Sequence, residues 1–380
     1  MNERPVIKEV STHRCSSLFS HLTVGLILVG ASFTIAPAVT IEIDPGSYTG
    51  RYSVAGHAIT TGPTTVKLEP GTYTFKNASS TDGGSFLFKV KGNGKVRSLN
   101  RVAGEGVGST LVLKNTNIVV HPKNYTSGYR LESSYPGPFT GIQSFVVIPG
   151  LSYRWHNHTV PSEEIRNPDF VFEVDALGQV TSQNTVAGRG VGNTLVLSNT
   201  SIIIDAGNYT GSYRRCQEFP NHSFLTDAQT LVLVPGLSYC LTNGAGGSFL
   251  FEVDAFGQVA SLNMAAAQSI GNTLRLQCAS VRVDPTTFTG SYSAHGFLDA
   301  FVGPTDITFI PGVLTTLFAG GQFASFTPDV SQVAPRSLTL AIAGHEHTFL
   351  LSTLGPCAVT GNSDIKPERI ANRISPESGD

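Results

Sequence analysis

Alternation of apolar and polar positions dominates the chain. In FLFEVDAFGQV, Phe249 to Val259, residues Phe249, Phe251 and Val253 fall on one side, and Leu250, Glu252 and Asp254 on the other. A period of two predicts a half-buried β-strand. The Asp-x-x-Gly that follows supplies a turn-starting Asp and a Gly able to take positive φ, so the strand should fold back as a hairpin. Near copies stand at Phe170–Val180 and Phe86–Val96, with a degraded fourth at Phe323–Val333.

The flanking strands repeat too. IDPGSYTGRY begins at Ile43, VHPKNYTSGY at Val120, IDAGNYTGSY at Ile204 and VDPTTFTGSY at Val283, at intervals of 77, 84 and 79 residues. Each copy then offers a strand running into Pro-Gly, a type II turn signal. Next come the hairpin strand and a Gly-rich link such as AGRGVGNTLVL. No helix follows that link and no Lys-Ser/Thr closes it, so its glycines read as bends and not as a phosphate cradle. A fixed internal period marks a repeat architecture. The fold is therefore expected to be all-β: four tandem sandwich-like units of about 80 residues, six or seven strands each, packed end to end. A closed propeller-like or solenoid assembly is the alternative. The repeats span 39–116, 117–200, 201–280 and 281–354, with 355–380 read as a disordered tail.

Junctions of two to four residues separate one copy's last strand from the next copy's first. That is hairpin spacing, so neighbours should be structurally joined, with a shared sheet one way to do it. The Pro-Gly strand of copy 1 alternates Val66 and Leu68 with Lys67 and Glu69, whereas copies 2 and 3 are apolar on both faces. Copy 1 is thus expected at an exposed end and copies 2 and 3 inside.

Composition adds compartment. Of 380 residues only 14% are charged, with 40 Gly and 21 Pro, which suits a turn-rich exported protein. Arg4, Lys8 and Arg14 precede an uncharged apolar run, Leu22 to Ala38, ending in Ala-Pro-Ala, so 1–38 reads as a signal peptide, or otherwise as an N-terminal anchor. The expected location is secreted, periplasmic or cell-surface. Beyond that segment four cysteines remain, Cys216, Cys240, Cys278 and Cys357, an even number that permits two disulfides in any of three connectivities. Cys216 and Cys240 follow neighbouring strands of one repeat and are expected to pair, leaving Cys278 with Cys357.

Net charge is −2, with no nucleic-acid signal, and the membrane enters only through an uncleaved N-terminal segment. Charge is uneven, however. Residues 40–116 carry 9 Lys/Arg against 5 Asp/Glu, or +4, and 201–354 carry 5 against 10, or −5.

Candidate chemistry is sparse. Glu173 with Asp175, and Glu252 with Asp254, lie two apart on one strand face, roughly 5–8 Å between carboxyls, which would admit calcium or a glycosidase pair. Copy 1 has Lys89 and Lys91 there, so solvated turn residues are the simpler reading. Trp155 is the chain's single Trp, in an insert with Tyr153, His156 and His158. Exposed aromatics on a loop stack on sugar rings, and His-x-His, here and at His345/His347, puts two imidazoles on one face. Six Asn-x-Ser/Thr sequons occur, including Asn77, Asn124 and Asn157. The expected function is a non-enzymatic structural or adhesive surface protein, its partner an extracellular polysaccharide or another surface protein. A carbohydrate-binding repeat protein and a secreted polysaccharide-active enzyme are the alternatives.

Overall fold

The computed structural model describes residues 37–77, 84–131, 137–157, 169–216, 225–243, 247–331 and 334–357. The N-terminal segment up to residue 36, His158, and the tail beyond Cys357 lie outside these residues. The fold is all-β: the described residues hold eight four-stranded sheets, two per repeat, none closed into a barrel. Each repeat is sandwich-like.

The first repeat sets the pattern. Its strands are β1 (Val39–Asp44), β2 (Tyr52–Val54), β3 (Thr64–Leu68), β4 (Gly71–Asn77), β5 (Ser85–Val90), β6 (Val96–Ser98), β7 (Gly104–Val107) and β8 (Thr110–Leu113). One sheet has the order β3-β1-β8-β7, the other β2-β4-β5-β6. All pairings are antiparallel except β1 with β8, which is parallel. Alternation does what its period requires: Ile41 and Ile43 of β1, Phe75 of β4, and Phe86, Phe88 and Val90 of β5 are buried in one cluster. The Asp-x-x-Gly hairpins form as expected, with Gly178 and Gly257 at φ 77° and 75°.

Eight strands per repeat exceed the six or seven expected, because the Gly-rich link is itself the β7–β8 hairpin. Its glycines serve an approach as well as a bend. At Val96 the backbone N–H of β6 donates to Gly108 O at 2.7 Å, pinning the second sheet to the first. A Cβ on Gly106 or Gly190 would fall on the carbonyl oxygen of Val96 or Val180. The third repeat carries Ser269 at this position, and there the Ser261 N–H donates to Ser269 Oγ at 2.8 Å.

Repeats two and three keep this topology, whereas the fourth departs from it. Among the described residues it has no counterpart of β6: after Gln322–Phe326 the next strand is Arg336–Ile342 in the other sheet. The sheet of Gln322–Phe326 keeps four strands by adding the short Phe301–Val302 on its opposite edge. Dropping one strand from a meander reverses every strand after it. The last strand, His345–Pro356, accordingly pairs antiparallel with Ala279–Asp284, where β8 pairs parallel with β1. The lapse of the pattern in FASFTPDVSQV is the sequence trace of this missing strand.

Neighbouring repeats do not share a sheet. Thr110–Leu113 and Thr116–His121 lie two residues apart yet belong to different sheets, which corrects the shared-sheet expectation. Two residues suffice because the chain steps from the end of one sandwich to the start of the next. What joins them is the core. One buried cluster runs through repeats one, two and three and takes in Ile310 and Val313 of the fourth, whose other core residues form a second cluster.

Candidate functional site

A recurring set of polar and apolar contacts joins one repeat to the next. Each joint starts from the residue before Pro-Gly. In repeats two, three and four this residue is Ile148, Val234 or Ile310, all buried in the shared cluster, and Leu151, Leu237 and Val313 follow just after the turn, buried too. Full burial of each such side chain stabilises by about 1.5–3 kcal/mol. The first repeat has exposed Glu69 in this place, and its turn is one residue shorter, with no counterpart of Leu151. In the second and third repeats a tyrosine fixes the turn, where the fourth has Thr315. Tyr153 Oη accepts from Ile148 N–H at 2.7 Å and donates to Ile148 O at 2.9 Å, and Tyr239 does the same with Val234 at 2.8 and 2.7 Å. Burial pushes the Tyr239 hydroxyl pKa well above its ordinary value, with Tyr125 adding and the Val234 bond and Arg215 opposing. It remains a neutral clamp.

The preceding repeat supplies the socket. Asn100 Oδ1 accepts from the Val102 and Ala103 N–H groups at 3.1 and 3.2 Å, shaping a turn after β6, while its amide reaches Gly150 O of the next repeat at 3.3 Å. Asn263 repeats both roles, donating to Gly312 O at 3.1 Å. At Gly150, φ 75°, any Cβ would collide with Val102, so the turn needs glycine for conformation and for closeness.

Buried polar pairs close the second and third joints. Arg215 of the third repeat donates to the Ser127 hydroxyl of the second, both buried. Ser212 donates its N–H and hydroxyl to Gly296 O of the fourth repeat at 2.6 and 2.8 Å. Asn243 donates to Leu314 O at 3.3 Å and Thr315 Oγ1 at 3.2 Å. Unmade, such groups would each cost about 1–3 kcal/mol in desolvation.

The aromatic candidates need correction. Trp155 is in the strand Leu151–Asn157, not on an exposed loop, and is fully buried. It stacks between Tyr129 at 5.9 Å and Phe170 at 5.4 Å, with Tyr125 edge-on. Period two puts Tyr153 on the same inward face, at 1% exposure. Neither can meet a sugar ring. His156, on the outward face, sits 3.7 Å from Asp169, which also pairs with Arg154 at 3.1 Å. The Trp-bearing strand was read as an insert because its core role is filled by Phe75 in the first repeat.

The acidic pairs are engaged locally. Asp175 Oδ1 accepts from Leu177 and Gln179 N–H, and Asp254 Oδ1 from Phe256 and Gln258 N–H, all at 2.8 Å. Glu173 accepts from Gln183 at 2.8 Å and Glu252 from Ser238 at 3.4 Å. Among the described residues no three His, Cys, Asp or Glu groups converge as a metal would need. His347 packs edge-on against Phe288 at 5.3 Å. Of the sequon asparagines, Asn77 and Asn157 are buried, and Asn124 is exposed.

Two disulfides are present. Cys216 and Cys240 lie across neighbouring strands of the third repeat, Cα atoms 5.3 Å apart. Cys278 and Cys357, 5.6 Å apart, join the start of the fourth repeat to the end of its last strand. Sequence reading missed the socket asparagines and Arg215. The signal for the apolar residues was present, since copies two to four read Ile, Val and Ile before Pro-Gly where copy one reads Glu. Comparison with protein-family models and with curated proteins finds no match.

Proposed function

We propose that the chain is an exported, non-enzymatic repeat protein serving as a structural or adhesive element at the cell surface or envelope. The observation that carries this reading is the joint: each following repeat sets two apolar side chains into the core of the one before. Beads on flexible linkers would not need that, whereas an array that must hold its shape does. Asp254 is engaged in forming its turn and Glu252 accepts from Ser238 on the strand, which favours local structural roles over an acid–base pair. The two disulfides suit an oxidising compartment.

Fractionation of cells, with alkylation of free thiols before lysis, tests it. The mature protein should be found in the envelope or medium with Cys216, Cys240, Cys278 and Cys357 protected from alkylation. Recovery in the cytosol with reactive thiols would refute the reading.

A further inference from the structure

We propose that the first repeat binds a negatively charged polysaccharide, a chain bearing carboxylate or sulfate groups, in the cleft between β6 and the β7–β8 hairpin. The proposal deepens the adhesive reading above by naming a partner, and rests on it only for location.

The cleft has a volume of about 310 Å³ and is walled by Arg97, Ser98, Arg101, Glu105 and Lys114 beside the backbone of Gly104 and Gly106. Three cations face one carboxylate. The frame is common to the first three repeats: Val96, Val180 and Val259 donate N–H bonds to Gly108, Gly192 and Gly271 at 2.7, 2.8 and 2.9 Å. The side chains on it are not common. Arg97, Arg101 and Lys114 stand where the second repeat has Thr181, Thr185 and Ser198, and the third Ala260, Met264 and Gln277. The fold therefore has no need of these charges.

The strand pair beside the cleft is charged against its own stability. Lys89 of β5 is directly opposite Arg97 of β6. Like charges so placed repel. The second and third repeats have Glu173 opposite Thr181 and Glu252 opposite Ala260. At the adjoining turn, Lys91 replaces the Asp that otherwise shapes it, and Lys95 replaces Gln. These six cations are exposed, and none forms an ion pair among the described residues. A row of unneutralised cations, concentrated in one repeat of a chain whose net charge is −2, is an anion-binding surface.

A polysaccharide fits better than a nucleic acid. No aromatic ring lines the cleft on which a base could stack. The disulfides further suit a compartment in which acidic polysaccharides are the abundant polyanions.

The test uses the purified full chain and four probes: heparin, alginate, neutral dextran and single-stranded DNA. The variant Arg97→Thr, Arg101→Thr, Lys114→Ser installs the second repeat's own residues on the same frame, so folding should survive, and its melting temperature checks this. A control, Lys67→Thr, Lys76→Thr, Lys123→Thr, removes equal charge elsewhere. The parent should bind heparin and alginate in a salt-sensitive way and ignore dextran. The cleft variant should lose at least about tenfold in affinity, and the control less than about threefold. Equal losses in both variants, tighter binding of DNA than of either glycan, or no binding by the parent would each overturn the proposal. None of those results would alter where fractionation finds the protein, so the two readings fail separately.

Discussion

The two outer repeats of the array depart from the inner pair by different means. The first keeps the eight-strand topology and changes side chains: Glu69 replaces the apolar residue before Pro-Gly, and lysines replace the acids of its hairpin. The fourth keeps the apolar residues that enter its neighbour, Ile310 and Val313, and changes topology, losing the β6 strand, gaining Phe301–Val302 on the opposite edge and reversing the last pairing. The β6 turn that would seat a further repeat is lost with that strand. Repeat proteins need atypical terminal units. Here one face is made polar by substitution, and the other loses its socket by deletion.

That contrast can be broken at the third joint first. Ile310→Asp would bury a charge in the shared core and should cost about 3–5 kcal/mol at that joint. Calorimetry should then show the fourth repeat melting apart from the other three. A single transition at the parent temperature would mean that the joint does not couple the repeats. Opening the Cys278–Cys357 bond by Cys→Ser at both positions should cost about 2–4 kcal/mol, because it closes a long loop. The loss should be confined to the fourth repeat, read by hydrogen exchange in His345–Pro356.

Smaller changes sharpen the comparison of the inner repeats. Gly190→Ala puts a methyl on the Val180 carbonyl and should destabilise by about 1–3 kcal/mol. Ser269→Ala, at the equivalent place in the third repeat, removes only a hydrogen bond, about 1 kcal/mol. Paired denaturant titrations would test this, and equal effects would show that the sheet-to-sheet approach is not limiting.

Alkali is the mildest probe. Burial, with a smaller contribution from Asp44, pushes the Tyr52 pKa up to about 12, and burial raises that of Tyr209 further. A phenol whose native pKa is raised stabilises fully below its unfolded value near 10. The unfolded chain then ionises while the native one cannot, so stability falls as pH rises from about 10 towards 12. Tyr52→Phe should flatten that decline in melts at pH 9 and 11, and an unchanged slope would exclude Tyr52 as a contributor.

Much of this architecture was legible in the sequence. Period two, Pro-Gly and Asp-x-x-Gly specify strands and hairpins locally, and the four copies exposed the repeat. The eighth strand was not legible, because GEGV reads as a flexible link until β6 is seen packed on it. Trp155 misled because rarity was read as exposure, while its alternation with Tyr153 already placed both inward. The joints stayed hidden because Asn100 and Gly150 meet across 50 residues, a relation no local pattern contains.

The reversed last strand has a mechanical consequence. Cys357 lies beside Cys278, at the entrance to the fourth repeat and not at its far tip. Tension applied between the first repeat and the chain beyond Cys357 would cross from Cys278 to Cys357 through the disulfide. The first three repeats would carry the load in series. The fourth would hang outside the line of force, folded and unstressed, until that bond is reduced.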